Sequence, residues 1–178
     1  SLADKVRILS HHGVQYSSDK DRPWFCDNVE VGYNYHMGEV QAAVGISQLK
    51  KLDSFNARRR ELVNLYNSEL AGIKGITHLS ETANAKSSWH LYVIRVGDEL
   101  GINRDELYSR LAAEGIGTKV HYTPVHLLQE YRYRCYAKGS CPVAESAYER
   151  ILSLPLSPAL TEKDIYTVVD TLRQVIKK

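Results

Sequence analysis

Apolar residues return at three- and four-residue steps in several stretches of the chain, and each return predicts a helix. Leu2, Val6 and Leu9 form one stripe over residues 1–12, with Gly13 as the C-terminal stop. From Gly38 the stripe is Val40, Ala43, Val44, Leu49, Leu52 and Phe55, and it runs on through Leu62, Leu65, Tyr66 and Leu70. That is one very long helix or two with a bend, ended by Gly72 and Gly75. Asn103 and Glu106 resemble a capping box and open a helix that runs to Gly115. Pro142 begins a short helix to about Arg150. Thr161 and Asp164 form a second capping box, opening a last helix with Ile165, Val168, Val169, Leu172 and Ile176 on one face.

Other stretches lack that period. SWHLYVIRV (88–96) is apolar nearly throughout and predicts a buried strand. GTKVHYT (117–123) predicts a strand that stops before Pro124, and ILSLPLSP holds a short strand cut off by Pro155 and Pro158. Residues 14–31 are loop-like around Trp24 and Phe25, two aromatics that need cover from an intramolecular core or a partner subunit. The back half thus alternates strand and helix three times, which predicts an α+β layer: a small sheet with helices on one side. A chain that opens inside an apparent helix is expected to be cut from something longer.

Composition changes this picture little. The 178 residues are 43% hydrophobic and 25% charged, ordinary for a globular chain with a sizeable core. A net charge of +2 gives no electrostatic case for nucleic acid or a membrane surface, and no apolar run is long enough to span a bilayer. Cys26, Cys135 and Cys141 have no metal-type spacing and read as free thiols in a reducing cytoplasm. Twelve tyrosines against two phenylalanines suit half-buried edges and polar pockets.

The candidate chemistry gathers in two stretches. GYNYHMG (32–38) places polar side chains just before a helix start, where unpaired N–H groups and the helix dipole favour an anion. Asn34 can offer its amide to a phosphate, or it can cap its own loop, and the residues alone favour the loop. In VHYTPVHLLQEY, His121 and His126 flank a proline at a strand end, beside Tyr122. That suits a polar-ligand pocket or an acid–base role, and the spacing is not that of a zinc site. His90 reads as a hydrogen-bonded core histidine, His11 and His12 as imidazoles suited to a helix C-terminus, and His78 has no context. Arg58–Arg60 reads as a solvated face beside Glu61. There is no Gly-rich phosphate loop, no G-x-S-x-G, no H-E-x-x-H and no paired CxxC.

GYNYHMGEVQAAVGISQLKKL resembles the DegT/DnrJ/StrS sugar aminotransferases, whose pattern there is roughly G-x-N-x-R-M, then Q-A-A and Q-L. Gly32, Asn34, Met37, Val40, Gln41, Ala42, Ala43, Gln48 and Leu49 carry it, with Arg58–Arg60 behind. GIGTKVHYTPVHLLQEYR resembles the family's G-I-x-x-x-x-H-Y-x-P-x-H segment, and AESAYERILSLPLSPALTEKDI its near-terminal one. Residues 1–13 are similar to the helix that precedes the motif.

The resemblance implies the C-terminal half of an enzyme of the aspartate-aminotransferase fold that uses pyridoxal 5'-phosphate (PLP). Residues 1–36 would be a remnant of the large PLP-binding domain and a partner-crossing loop. Residues 37–75 would be the linking helix or helix pair, and 76–178 the small α+β domain. No lysine here stands in the family's S-x-x-x-x-K…G-x-G-G context, so the Schiff-base lysine is expected elsewhere and this chain alone is expected to be inactive. The family match revises the reading of Asn34: it implies a contact with the PLP phosphate of the neighbouring subunit in a homodimer with shared active sites. It implies substrate contacts at His36, His121, Tyr122 and His126. His36 stands where the family has arginine, and a histidine is no fixed fork donor. The implied reaction moves an amino group from glutamate to a nucleotide-linked keto-sugar, in amino-sugar or cell-surface polysaccharide biosynthesis. The alternative is a non-catalytic dimerisation or sugar-nucleotide-binding module. No metal is implied. The residues do not tell which sugar, ring position or nucleotide is used.

Overall fold

The structure is a computed structural model that describes residues 1–16, 21–134 and 137–177. The chain divides into two compact units, Ser1–Lys51 and Leu52–Lys178.

The first unit opens with helix α1 (Leu2–Ser10), capped by a reciprocal Ser1–Asp4 box. A two-stranded antiparallel hairpin follows, β1 (Val14–Tyr16) with β2 (Cys26–Asn28), in the register Val14↔Asn28 and Tyr16↔Cys26. The stretch expected to be loop therefore holds a ladder. Strands of three residues, with Gln15, Asp27 and Asn28 in them, are too short and too polar to show a two-residue period. Helix α2 (Glu39–Leu49) completes the unit. The predicted apolar stripes of α1 and α2 bury nothing: Val40 is 76% exposed and Leu49 67%. Of the described residues in this unit only Gly13 is buried.

Of the two readings, one long helix or two, the structure has two: α2 ends before Lys50–Lys51, and α3 (Leu52–Leu70) opens the second unit. Then come β3 (Ile76–His78), β4 (Tyr92–Val96), a 3-10 turn at Asp98–Leu100 and α4 (Arg104–Ala113). A second 3-10 turn at Val125–Leu127, α5 (Gln129–Tyr133), α6 (Pro142–Arg150), β5 (Ile151–Leu154) and α7 (Glu162–Lys177) follow. The sheet is antiparallel in the order β3-β4-β5, with Ile76 opposite Val96 and Tyr92 opposite Leu154.

Two strand expectations are corrected here. Residues 88–91 lie outside the strand because Trp89 has a left-handed backbone (φ 47°) and gives its N–H to Ser87 Oγ. Residues 117–123 contribute one bridge, Lys119 with Ser153, and no strand. The His121 ring, rather than a longer backbone ladder, takes the next contact with Ser153. The strand β3 carries no pattern of its own, with one buried side chain, Ile76.

Among the described residues the buried apolar side chains, nineteen of them, all belong to the second unit. α3 packs on α7, and α7 on α4. Leu62, Tyr66, Leu107, Leu111, Ile165, Val169 and Leu172 are fully closed off with Tyr92, Ile94 and Leu152 of the sheet. Each such aliphatic side chain contributes about 1.5–3 kcal/mol by leaving water. The Tyr66 and Tyr92 rings stack at 4.5 Å, and each hydroxyl has an acceptor: Pro155 O at 2.9 Å and Asn67 Oδ1 at 2.8 Å. Burial pushes both tyrosine pKa values up.

The arginines on α3 do more than solvate a face. Arg58 donates to Leu160 O at 3.1 Å, and Arg60 grips Glu81 with two nitrogens and Ser87 O with one. Arg104, 7% exposed, donates to Tyr148 O and Ile151 O and lies 5.2 Å over the Tyr148 ring. It ties the start of α4 to the turn between α6 and β5.

Candidate functional site

The first unit presents the 32–38 loop. Its backbone runs beside the end of α1: His12 N donates to Tyr33 O at 2.9 Å, Tyr33 N to Leu9 O at 2.7 Å, and Tyr35 N to Ser10 O at 3.0 Å. Two glycines let the chains meet this closely. A Cβ on Gly32 would lie 2.1 Å from Gly13 N, and one on Gly13, at φ +75°, would lie 1.7 Å from Glu30 O. Asn34 is thereby held as a backbone partner of His11. Its side chain is exposed and has no hydrogen bond among the described residues. Gly38 is the N-cap of α2 and offers no side-chain cap, so the first N–H groups of that helix stay open. Tyr33 and Tyr35 stack at 5.1 Å, both exposed.

His36 joins a cluster that its sequence position did not foretell. His36 Nε2 and His11 Nδ1 are hydrogen-bonded, and His11 Nε2 lies 3.4 Å from the Tyr16 hydroxyl. The His12 ring is 5.7 Å from the His36 ring. In the neutral forms one consistent proton order runs from His36 Nε2–H to His11 Nδ1 and from His11 Nε2–H to Tyr16. Nothing in this order reproduces the two-pronged charge of an arginine.

The second unit holds His121, Tyr122 and His126. His121 Nδ1 lies 2.9 Å from Ser153 Oγ on β5, with Tyr122 edge-on to its ring at 4.7 Å and exposed. Thr123 Oγ1 donates to the Tyr148 hydroxyl at 3.2 Å, the ring that Arg104 covers. His126 sits in the 3-10 turn and is bonded through Nε2 to Glu145 at 2.8 Å. Both side chains are about nine-tenths buried, at 10% and 9% exposure. The Glu145 carboxylate also accepts from Gly139 N at 2.8 and 2.9 Å and from Cys141 N at 3.2 Å. The Gly139 amide first, and His126 next, hold its carboxyl below the usual range. A hollow of about 380 Å³ beside it is lined by Pro124, Val125, His126, Tyr131, Cys141 and Ala144.

Glu145, Ser153 and Tyr148 did not stand out in the sequence. Each sits in a helix or strand where only its neighbours' period was read, although an acid in the first turn of a helix after a proline was a signal for Glu145. His90 is exposed and not a core histidine, because the turn at Trp89 points it outward. His78 lies on β3, its ring 6.5 Å from that of Tyr92. Trp24 is 75% exposed. Cys26 and Cys141 are exposed free thiols, and Cys135 lies outside the described residues. Among the described residues no group of three or more His, Cys, Asp or Glu side chains is placed to hold a metal. No helix among them is long and apolar enough to cross a membrane.

Residues 1–173, both stretches included, match the DegT/DnrJ/EryC1/StrS aminotransferase family. The chain belongs to that family. It is 36% identical to the spore coat polysaccharide biosynthesis protein SpsC of Bacillus subtilis, with 99% of this chain and 47% of SpsC covered. It is 35% identical to UDP-4-amino-4,6-dideoxy-N-acetyl-beta-L-altrosamine transaminase of Campylobacter jejuni, with 99% and 46% covered. Among solved structures, the putative sugar aminotransferase Spr1654 of Streptococcus pneumoniae superposes with a TM-score of 0.87 in its PMP form, at 29% identity, over 99% of this chain and 45% of that one. Its PLP form gives 0.85 at 30% identity, over 99% and 43%. The DegT/DnrJ/EryC1/StrS chain therefore has the mixed α/β small-domain fold of the C-terminal half of sugar aminotransferases, and it spans about half the length of the curated relatives it matches.

Aminotransferases of this family use PLP. The donor set at the 32–38 loop fits the phosphate of such a group: an amide side chain without a partner among the described residues, and an uncapped helix N-terminus. Glu39, the acid in the first turn of α2, opposes an anion there.

Proposed function

We propose that this chain is the C-terminal half of a PLP-dependent aminotransferase that moves an amino group from glutamate to a nucleotide-linked keto-sugar. The observation that carries the reading is the Asn34 amide, fixed through its backbone beside α1 and left open at its side chain. When bound, PLP supplies the electron sink for amine transfer. The lysine that carries it lies on polypeptide beyond these residues, and Asn34 donates to its phosphate from the neighbouring subunit of a homodimer. The open N–H groups of α2 add their dipole to the same charge.

In this reading residues 1–36 belong with the lysine-bearing domain, 37–75 form the link and 76–178 the small domain. His36, His121, Tyr122 and His126 contact the sugar nucleotide. His36 meets it as one member of an imidazole pair rather than as a fixed cation, so its contact depends on proton order. His121 is held by Ser153 and His126 by Glu145, so each ring meets the substrate in one orientation.

The test is to express the whole polypeptide that contains this chain, record its PLP absorbance and assay amine transfer from glutamate to nucleotide-linked keto-sugars. Asn34→Ala should weaken retention of PLP about tenfold, the loss of one hydrogen bond to a charged group. No PLP absorbance and no transfer would sink the proposal. Nucleotide-sugar binding without transfer would favour the non-catalytic module instead.

A further inference from the structure

We propose that Glu145 is a positioning residue: it holds His126 by Nε2 and decides which nitrogen of that ring is left for a ligand in the hollow beside it. Among the described residues the carboxylate meets two backbone donors, Gly139 N and Cys141 N, and the ring nitrogen His126 Nε2. An ionised carboxylate can only accept, so Nε2 carries the proton. A neutral imidazole has one N–H, and Nδ1 is then a bare lone pair. In that neutral form the ring offers a ligand an acceptor, not a donor.

The rest of the lining suits that role. Pro124, Val125 and Ala144 give apolar surface, and Tyr131 and Cys141 polar tips. A ligand seated there would lay C–H surface on the apolar side and present an O–H or N–H to Nδ1. A sugar ring with its hydroxyls does both, and a fully ionised phosphate does neither. Naming the sugar as the ligand rests on the proposed function. The assignment of the proton does not.

Glu145 also sets the shape of the hollow. The same oxygen that takes Nε2 takes the amides of Gly139 and Cys141. The wall from the 3-10 turn and the wall from the start of α6 are thus held by one carboxylate. With about nine-tenths of both partners buried, the Nε2 bond is shielded from competing water.

The experiment uses the chain labelled with ¹⁵N-histidine. Long-range ¹H–¹⁵N spectra should show His126 as the Nε2–H tautomer, with a slowly exchanging Nε2–H signal. Glu145→Gln keeps an acceptor oxygen and should keep that signal, and Glu145→Ala should lose it. A wild-type ring protonated at Nδ1 would overturn the proposal, and so would an unchanged Nε2–H signal in a folded Glu145→Ala. If Glu145→Ala does not fold, the wild-type tautomer and the Glu145→Gln signal still decide. Binding of UDP-N-acetylglucosamine by calorimetry forms the second arm. Glu145→Ala and His126→Ala should each weaken it about tenfold, Glu145→Gln should rescue most of the loss, and the double variant should be no weaker than either single one. Losses that simply add would show a clamp independent of His126 and overturn the positioning role. No binding to wild type, with the Nε2–H signal intact, would overturn UDP-N-acetylglucosamine as a ligand of this hollow and leave Glu145 as assigned.

Discussion

Helices α2 and α7 make the same statement in sequence and opposite ones in structure. Both carry apolar residues at helical spacing. In α7, Ile165, Val168, Val169, Leu172 and Val175 are buried under α3 and α4. In α2 nothing is buried, and Val40, Val44, Ile46 and Leu49 stand more than half exposed. The period says that a face asks to be covered, and not by what. In the second unit the cover is within the chain. In the first, the apolar face of α2 has no cover among the described residues.

Core truncation is the strongest way to break this comparison. Leu62→Ala or Leu172→Ala removes a fully closed-off side chain and should cost about 3 kcal/mol in urea unfolding of the chain. Val44→Ala on α2 should cost under about 0.5 kcal/mol in the same measurement. Equal losses would mean that α2 contributes to a core after all. Hydrogen exchange sharpens the contrast. Amides of β4 and α7 should exchange only through global opening, and those of α1 and α2 much faster.

Acid should separate the units next. The carboxyls of Glu145 and Asp164 are held below their ordinary values of 4.5 and 3.8, Glu145 first by the Gly139 amide and Asp164 first by the Thr161 amide. A lowered folded pKa means stability that is present above the unfolded value and lost as pH falls through the folded one. The urea midpoint of the second unit should therefore hold steady above about pH 5 and fall below pH 4. A midpoint that drops already between pH 7 and 5 would mean that these carboxylates are not what acid attacks first.

What could be read from the sequence follows the same division. The long helices were legible because each repeats its period over nearly three turns or more and carries a stop or a cap: Gly115 after α4, Asn103 and Thr161 before α4 and α7. The hairpin and β3 were not, because three residues cannot display a period and their pairing is set by neighbours distant in the chain. Within the candidate site, Asn34 and His126 drew notice as polar residues in loops beside turn formers. Glu145 and Arg104 did not, since a charged residue on a helix reads as solvent-facing until tertiary structure supplies its partners. Arg58 has the Glu61 partner that the sequence placed beside it, at 2.9 Å, while its bond to Leu160 O and the grip of Arg60 on Glu81 come only from the tertiary structure.

The caps give a comparison of the same kind at lower energy. α7 starts with Thr161, whose hydroxyl accepts from Asp164 N at 3.3 Å while Asp164 accepts from Thr161 N at 2.8 Å. Thr161→Ala should cost about 1 kcal/mol in urea unfolding.

α2 starts with Gly38, at φ −66° and ψ 152°, an extended geometry that any residue adopts. Serine there would satisfy an open N–H of the first turn. Its Cβ would meet only Gln41 Oε1, at 2.4 Å, the far end of a side chain that can move. Gly38→Ser should therefore stabilise the helix by a few tenths of a kcal/mol, read as a small gain in helical circular dichroism. If the open N-terminus of α2 is there to face a phosphate, the same change should weaken PLP retention in the whole enzyme, because the serine oxygen occupies the donors that the anion would use. A gain in helix with retention unchanged would leave Asn34 as the phosphate contact and remove α2 from the site. A gain in helix with retention lost would show that this helix start is left uncapped for its ligand.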